Sequence, residues 1–408
     1  MKASEKTKYN VGGVLLDRPF KIRRLGHFGF NLVNIDDGIR FYTDLLGFRI
    51  SDVLDYSARA TKPGQLSGTG DPRGYFTRYG GDHHALVLFN KRVREALGRH
   101  DAPGVTINQI TWQVGSLREV GNAIRWFNEQ GVKLQRSGRD MPGSNWHTYL
   151  FDPDDHLNEL YYGIEQIGWN GHSKPKAMYD REFDKPPELP QISECDEVQD
   201  ALKRGVDPTS GYRYIEQLPA TYDVDGVLLP RPFKITRLGP VELFVRDLEA
   251  AETFYREKLG FLLTEEVRWR GHRCLFLRQN TEHHSLALYP LALRELLGLS
   301  SHSTSMSLGL QLANYQQLRD AVRFLSSHGV RATSAVPPDL YPGIDYAAHF
   351  LDPDGHCVKL YYYMEQVGWD GKPRPKESRR AVTNGDWPET VEPMSDTYNG
   401  EPFLGPWG

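Results

Sequence analysis

The sequence predicts an α+β protein in which a βαβββ module occurs four times, with two modules in each of two domains. A chain of 408 residues is too long for one ordinary hydrophobic core. The chain also repeats itself, because residues 9–26 match residues 222–239 and the segment YYGIEQIGWNG at 161–171 matches YYYMEQVGWDG at 361–371. Two similar domains follow from these observations.

Each copy divides into two modules of the same plan. Residues 28–50 read as a strand, a helix with Asp36 near its start and Gly47 as its stop, and a second strand. Residues 110–134 repeat this plan, with apolar side chains at helical spacing and Gly131 as the stop. Short apolar strands follow each helix, which gives modules at 22–95, 105–165, 235–292 and 304–365.

Other segments lie between and after the modules. Residues 173–221 are polar, acidic and rich in proline, and they are predicted to form a surface linker between an N-terminal domain at 9–172 and a C-terminal domain at 222–372. The tail at 373–408 is predicted to lie over a domain or a neighbouring subunit, and we expect a homo-oligomer. A longer loop of the first copy, at 58–74, is expected to be a flexible lid or a plain surface loop.

The composition limits the class of partner. The net charge is −4, and both signs are interleaved without a basic block that would favour nucleic acid or an anionic membrane. No apolar run is long enough for a transmembrane helix or an export signal. Cys195, Cys274 and Cys357 are far apart, which favours neither a disulfide framework nor a cysteine zinc site. We therefore expect a cytoplasmic protein.

Four stretches of the first copy place polar side chains inside apolar strands. GHFGFNLV carries His27, RYGGDHHALVLF carries His84, INQITWQV carries Gln109, and YLFDPDDHLNELYYG carries Tyr149 and Glu159. A carboxylate such as Glu159 is costly inside a domain unless a cation or hydrogen-bond donors surround it. These stretches resemble those of the vicinal oxygen chelate superfamily, and the two-domain layout is similar to that of the type I extradiol ring-cleavage dioxygenases.

The resemblance implies a fold, a metal site and an activity. Each domain would be a curled mixed sheet around a central cavity, and His27, Gln109 and Glu159 would be the metal ligands. Three protein ligands leave adjacent positions open on Fe(II), so a small aromatic substrate can chelate the ion while O₂ binds beside it. The implied enzyme is an extradiol-type dioxygenase that cleaves a catechol or a related polyhydroxylated aromatic.

The resemblance also implies catalytic roles for side chains near the metal. His84 would take and return a proton, and Tyr149, together with His147, would hydrogen-bond the chelating oxygens of the substrate. A structural role for the paired histidines is the alternative, because the same pair persists at residues 283–284 in the second copy. His147 is either a donor in the pocket or a surface residue.

The second copy has lost the ligand set. Its corresponding residues are Pro240, Ser307 and Lys359, and the tyrosine position holds His349. Proline, serine and a cationic lysine cannot hold a divalent metal by themselves. The N-terminal domain is therefore predicted to carry the chemistry, whereas in the usual two-domain dioxygenases the active half is the C-terminal one.

Gln109 departs from the dioxygenase pattern, which has a histidine at that ligand position. Glutamine binds a metal through a neutral carbonyl oxygen, a harder and weaker ligand than imidazole. Fe(II) is expected, with Mn(II) or another divalent metal as the alternative. The substitution leaves two other functions open, namely a metal-dependent isomerase or lyase of the glyoxalase type and a protein that binds an aromatic compound.

Overall fold

The structure is a computed structural model, and it describes residues 8–139, 142–168, 170–178, 192–367, 370–379, 382 and 387–391. The strands of the N-terminal half are Tyr9–Val11 (β1), Val14–Leu16 (β2), Ile22–Leu32 (β3), Arg49–Asp55 (β4), Arg73–Arg78 (β5), Leu86–Asn90 (β6), Ile107–Val114 (β7), Leu134–Arg139 (β8), Trp146–Phe151 (β9) and Leu157–Tyr162 (β10). Its helices are Ile35–Arg40 (α1), continued by a π-helical turn over Phe41–Leu45, Lys91–Ala96 (α2) and Leu117–Glu129 (α3).

The C-terminal half repeats this order after a helix in the linker, Glu194–Lys203 (α4). Its strands are Tyr222–Val224 (β11), Val227–Leu229 (β12), Ile235–Val245 (β13), Leu262–Trp269 (β14), His272–Arg278 (β15), Leu286–Pro290 (β16), Ser305–Leu312 (β17), Ala332–Thr333 (β18), Ala347–Leu351 (β19) and Cys357–Tyr361 (β20). Its helices are Leu248–Thr253 (α5), continued by a π-helical turn over Phe254–Leu259, Ala292–Leu296 (α6) and Tyr315–Ser327 (α7). Short 3₁₀ helices cover Ser57–Arg59, Lys176–Met178, Pro338–Leu340 and Lys376–Ser378.

Each domain is one eight-stranded sheet made of two modules that join through their first strands. The strand order is β4-β5-β6-β3-β7-β10-β9-β8 in the first sheet and β14-β15-β16-β13-β17-β20-β19-β18 in the second. In the first sheet, β3 pairs in parallel with β6 and β7 with β10, while β3 and β7 pair antiparallel. The prediction of an α+β fold with four βαβββ modules is confirmed.

Helix α3 forms where the sequence spacing predicts it. The Ser116 hydroxyl accepts a hydrogen bond from the backbone N–H of Glu119 and so caps the first turn. Gly131 follows the helix with a φ of +68°, a left-handed conformation that suits glycine at a helix end. The face that the helix buries includes Leu117, Val120, Ile124 and Phe127.

The two domains pack against each other through reciprocal buried hydrogen bonds. The Tyr42 hydroxyl donates to Asp352 at 3.0 Å, and the Tyr255 hydroxyl donates to Asp152 at 2.8 Å. One hydrophobic core runs through both domains beneath these contacts. Each domain thus supplies one donor and one acceptor to the interface. The second domain stabilises the first through these contacts, although its own sequence lacks the predicted metal ligands.

Parts of the predicted linker and tail are described. In the linker, Glu197 of α4 accepts hydrogen bonds from Arg139 at 3.0 Å and from Lys174 at 2.7 Å, which fasten the helix to the N-terminal domain. In the tail, the carbonyl oxygen of Pro388 accepts a hydrogen bond from the Tyr315 hydroxyl at 2.6 Å. The remaining predictions for residues 179–191 and 392–408 fall outside the described residues. Within the described ranges, no helix is long and apolar enough to cross a bilayer.

Candidate metal centre

The sheet of the N-terminal domain curls around a cavity of about 790 Å³. Every strand from β3 to β10 contributes at least one side chain to the cavity wall. The buried part of the lining combines apolar side chains, such as Phe76 and Phe89, with polar ones that include His27, His84 and Asn145. The second sheet carries a larger buried apolar cluster, in which Phe276 and Tyr289 have the places of Phe76 and Phe89 and are joined by Met306 and Tyr341. The predicted curled sheet around a cavity is therefore present, and this cavity belongs to the first domain.

The three predicted ligands lie close together on the central strands of this sheet. In the strand register, Thr111 of β7 pairs with His27 of β3 on one side and with Glu159 of β10 on the other. Gln109 precedes Thr111 by two positions, so it projects from the same face of β7. The absence of a side chain at Gly29 leaves space next to Gln109. A Cβ atom added at Gly29 would lie 3.4 Å from Gln109 Cγ and 2.6 Å from a Val87 methyl carbon.

The Glu159 carboxylate is the centre of this group and is fully buried. Its Oε2 atom lies 3.1 Å from His27 Nε2, 2.9 Å from the Thr111 hydroxyl and 3.4 Å from Gln109 Nε2. Its Oε1 atom accepts a hydrogen bond from Asn145 Nδ2 at 2.7 Å. Burial alone would raise the pKa of Glu159, but the His27 ring, followed by His147 and Thr111, lowers it to about 2. The carboxylate is therefore ionised at neutral pH.

The arrangement of these donors fits a divalent metal. When two ligand atoms each lie about 2.1 Å from a metal ion and form a right angle at it, they are about 3.0 Å from each other. The distance between His27 Nε2 and Glu159 Oε2, 3.1 Å, is close to this value. Among the described residues, no three His, Cys, Asp or Glu side chains are grouped as a metal site, so a metal held here by three protein ligands would need a further donor, such as the predicted ligand Gln109. His27 Nδ1 has no hydrogen-bond partner in the described chain, unlike most metal-bound histidines, which donate that proton.

His84 lies against the predicted ligand His27 at the cavity wall. The two ring centroids are 4.3 Å apart, and His84 Nδ1 lies 3.0 Å from His83 Nδ1. Burial, followed by the charges of His27 and His83, holds the pKa of His84 well below its ordinary value. The ring is therefore neutral at pH 7 and lies against the predicted ligand His27, as the predicted acid and base requires.

Tyr149 and His147 lie on β9, next to the carboxylate. Tyr149 pairs with Glu159 across β9 and β10, and it lines the cavity. His147 is fully buried, with Nδ1 at 3.7 Å from Glu159 Oε1 and its ring centroid 4.7 Å from that of Tyr149. It is thus not a surface residue, and it is placed to orient the carboxylate and the tyrosine rather than to line the cavity.

The second domain replaces the ligand set by a buried ion pair. Lys359 occupies the position of Glu159 and donates to Glu242, which occupies the position of Gly29. Ser307, at the position of Gln109, donates to the same carboxylate, and His284 Nε2 lies 3.8 Å from it. Burial alone would raise the pKa of Glu242, but Lys359 and His284 lower it to about 2.

Sequence reasoning missed three of these side chains. Asn145 and Thr111 hold the Glu159 carboxylate. Asn145 lies outside the four stretches that carry the resemblance, and Thr111 lies within INQITWQV but has no role in the predicted ligand set. Glu242 could have been found by aligning the two copies, because it replaces Gly29 next to the lost histidine.

A family model matches both halves of the chain. The matched residues are 24–160 and 237–360, and the family is the Glyoxalase/Bleomycin resistance protein/Dioxygenase superfamily. The chain belongs to this superfamily. Both matches cover module pairs, so the C-terminal domain keeps the superfamily fold although it lacks the ligand set.

Known members of the superfamily resemble the chain to different extents. Metapyrocatechase 2 of Cupriavidus necator is 30% identical over 146 residues, which are 36% of this chain and 38% of that protein. The match thus spans well under two thirds of that relative. A solved catechol 2,3-dioxygenase has a TM-score of 0.54 at 17% identity and covers 91% of this chain and 97% of its own. The Mn(II)-bound glyoxalase of Novosphingobium aromaticivorans has a TM-score of 0.52 at 14% identity, covering 86% and 85%.

Proposed function

We propose that this protein is a metal-dependent dioxygenase of the extradiol type, which cleaves a catechol or a related polyhydroxylated aromatic with O₂. The observation that carries the proposal is the buried, ionised Glu159, which lies beside His27 and Gln109 at the inner end of the cavity. The hydrogen bonds from Thr111 and Asn145 offset part of the cost of burying this charge, and a bound cation would offset more of it. The match to a metapyrocatechase supports the choice of reaction.

His27, Gln109 and Glu159 would hold the metal, which we propose to be Fe(II), with Mn(II) or another divalent ion as the alternative. Bound there, the metal would supply redox chemistry and open coordination positions for the catechol oxygens and O₂. Thr111 and Asn145 hold one oxygen each of the Glu159 carboxylate, so its orientation is fixed before substrate binds.

The remaining side chains would act on the substrate. The neutral ring of His84 is the form that accepts a proton from a catechol hydroxyl and returns it later in the reaction. The Tyr149 hydroxyl would hydrogen-bond a chelating oxygen, with His147 packed against its ring to hold it in place. The curled sheet around this group limits the access of water.

Gln109 favours one alternative, a metal-dependent isomerase or lyase of the glyoxalase type. An amide oxygen is a hard ligand that suits non-redox divalent ions, and such an enzyme would consume no O₂. A protein that binds an aromatic compound without turnover is the other alternative. A cytoplasmic location and a homo-oligomer are further expectations.

The test is a metal analysis of protein purified without oxygen, followed by assays with a panel of catechols. We expect about one Fe(II) per chain after reconstitution, O₂ uptake equal to the catechol consumed, and yellow ring-cleavage products. Reconstitution with Mn(II) in parallel identifies the metal that supports turnover. Bound metal without O₂ uptake would favour the isomerase, and catechol binding without any metal would favour the binding protein.

A further inference from the structure

The outer part of the metal-centre cavity carries a cluster of arginines. Arg59, Arg94, Arg99 and Arg136 all line the cavity, as do the predicted ligands His27 and Gln109. Arg59, Arg99 and Arg136 are exposed, whereas His27 is buried. Arg94 forms an ion pair with Asp101 at 3.1 Å. In the described part of the chain, neither Arg59 nor Arg99 has a carboxylate within ion-pair distance. The cavity therefore has more positive than negative charge in its wall.

Arg99 lies in the middle of this cluster. Burial lowers its pKa, and the charges of Arg59, Arg94 and Arg136 lower it further. Like charges grouped in this way repel each other, and an anion among them would offset both the repulsion and the partial desolvation.

Arg136 connects the cluster to the candidate metal centre. It pairs with Tyr149 across β8 and β9, and Tyr149 pairs with Glu159 across β9 and β10. The guanidinium carbon of Arg136 lies 4.6 Å from the centroid of the Tyr149 ring. A cation thus lies directly against the ring of the tyrosine that we propose to contact the substrate.

The second copy of the repeat shows which arginines belong to the site. Thr333 has the place of Arg136, because each pairs with the residue at the tyrosine position of its sheet. Leu299 has the place of Arg99, one residue after a shared Leu-Gly pair. The copy that lost the metal ligands has therefore also lost these two cations.

The other two arginines of the cluster, Arg94 and Arg59, also differ between the two copies of the repeat. Arg94 is kept as Arg294, but there the side chain donates to the carbonyl oxygen of Ser303 at 3.1 Å. Arg59 belongs to the longer loop at 58–74, which has no counterpart of equal length in the second copy.

The loop at 58–74 is hydrogen-bonded to the rest of the N-terminal domain. Gln65 donates to the carbonyl oxygen of Ala96 at 2.9 Å, and Asn90 donates to those of Thr69 and Asp71 at 2.8 Å. The extra length of the first copy thus holds an additional arginine over the cavity.

We propose that the substrate is an anionic catechol, with its hydroxyls directed to the ligand end of the cavity and an acidic substituent, such as a carboxylate, held by Arg99 and Arg136. This inference rests on the proposed dioxygenase function and adds the class of substrate. A neutral substituent would leave Arg59 and Arg99 without a counter-ion among the described residues, so we infer that the cavity selects by charge.

The test compares catechols that carry a carboxylate on side chains of different length with their methyl esters. In at least one pair, kcat/KM for the acid should exceed that for the ester by about tenfold or more, mainly through KM. The substitutions Arg99→Gln and Arg136→Gln should each reduce this ratio. Arg92→Gln, which changes an exposed arginine of α2 outside the cavity lining, is the matched control and should keep the ratio.

Two results would overturn the proposal: esters turned over as well as acids in every pair, or a preference for acids that both cavity variants retain. Calorimetric binding of non-cleavable phenylalkanoates and their amides separates this inference from the proposed function. Tighter binding of the acids that depends on Arg99, without cleavage of any catechol, would support the anion site and reject the dioxygenase. Equal cleavage of acids and esters would support the dioxygenase and reject the anion site.

Discussion

Lys359 donates a hydrogen bond to Glu242 inside the second sheet, at the place where the first sheet has Glu159 and Gly29. Both domains thus bury a carboxylate at the same point of the fold. The second domain neutralises its carboxylate with a lysine of its own chain, whereas the first has a histidine and a glutamine there. In the domain that lacks the proposed ligand set, a lysine side chain thus supplies the positive charge that we propose a metal ion supplies in the first domain.

This ion pair predicts a specific pattern of stability. Lys359→Ala leaves Glu242 buried without its cation and should destabilise the C-terminal domain by about 3–5 kcal/mol. The double variant Lys359→Met, Glu242→Leu removes both charges and should restore most of that loss. Thermal and urea unfolding of the three proteins measure the effect, and a double variant as unstable as the single one would contradict it.

Acid should weaken the same pair. Glu242 has a folded-state pKa of about 2, below its ordinary value of 4.5, because Lys359 and His284 outweigh the effect of burial. A depressed carboxyl pKa contributes stability that is present above the unfolded value and is lost as the pH falls from about 4.5 towards 2. The melting temperature of the wild type should thus fall relative to that of the double variant as the pH is lowered from about 4.5, because protonated Glu242 leaves the charge of Lys359 buried without its partner. The double variant keeps Glu159, so the difference between the two proteins reports on Glu242.

Metal content should depend on the N-terminal domain alone. His27→Ala and Glu159→Gln should each lower the bound metal from about one per chain to a small fraction, because each removes a ligand or its charge. The double variant at Lys359 and Glu242 is the control and should retain the metal. Elemental analysis after gel filtration gives the answer, and full metal content in Glu159→Gln would exclude this carboxylate as a ligand.

His84 should be needed for turnover but not for metal binding. His84→Gln should retain the metal while kcat falls about 100-fold or more, since a general acid and base typically contributes this much. The matched change is His284→Gln, where the ring lies 3.8 Å from Glu242 in the ion-pair domain. That variant should alter the melting temperature and leave kcat nearly unchanged. Small, equal effects of both changes on kcat would make the histidine pairs structural.

The sequence predicts the modules well because their signals are local. The helical spacing from Leu117 to Phe127 and the glycine stop after it need no knowledge of the partner strands. The site depends instead on the register between strands, which places His27, Thr111, Glu159 and Tyr149 in one row. The superfamily resemblance supplied three members of that row.

The residues that sequence reasoning missed are those whose contacts form only in the tertiary structure. Asn145 lies in a turn before β9, and nothing in its local pattern shows that its amide reaches Glu159. Arg99 and Arg136 are far apart in the chain, and each alone reads as an ordinary solvated side chain. Their common cavity appears only when the sheet has curled and brought α2 and β8 to the same opening.

Gln109 provides the most direct test of the ligand set. Its Nε2 atom lies 3.4 Å from Glu159 Oε2, so a flip of the amide that exchanges its oxygen and nitrogen would place the oxygen beside a metal held by His27 and Glu159. Gln109→His would restore two histidines and one carboxylate, and imidazole suits Fe(II) well, so this variant should retain iron more firmly against a chelator. Gln109→Ala should lose iron faster than the wild type with an unchanged melting temperature, because the side chain is only partly buried. Iron content after dialysis against the chelator ranks the three proteins. Equal retention would mean that Gln109 is no ligand, and His84, whose ring lies next to His27, would be the remaining candidate for the third position.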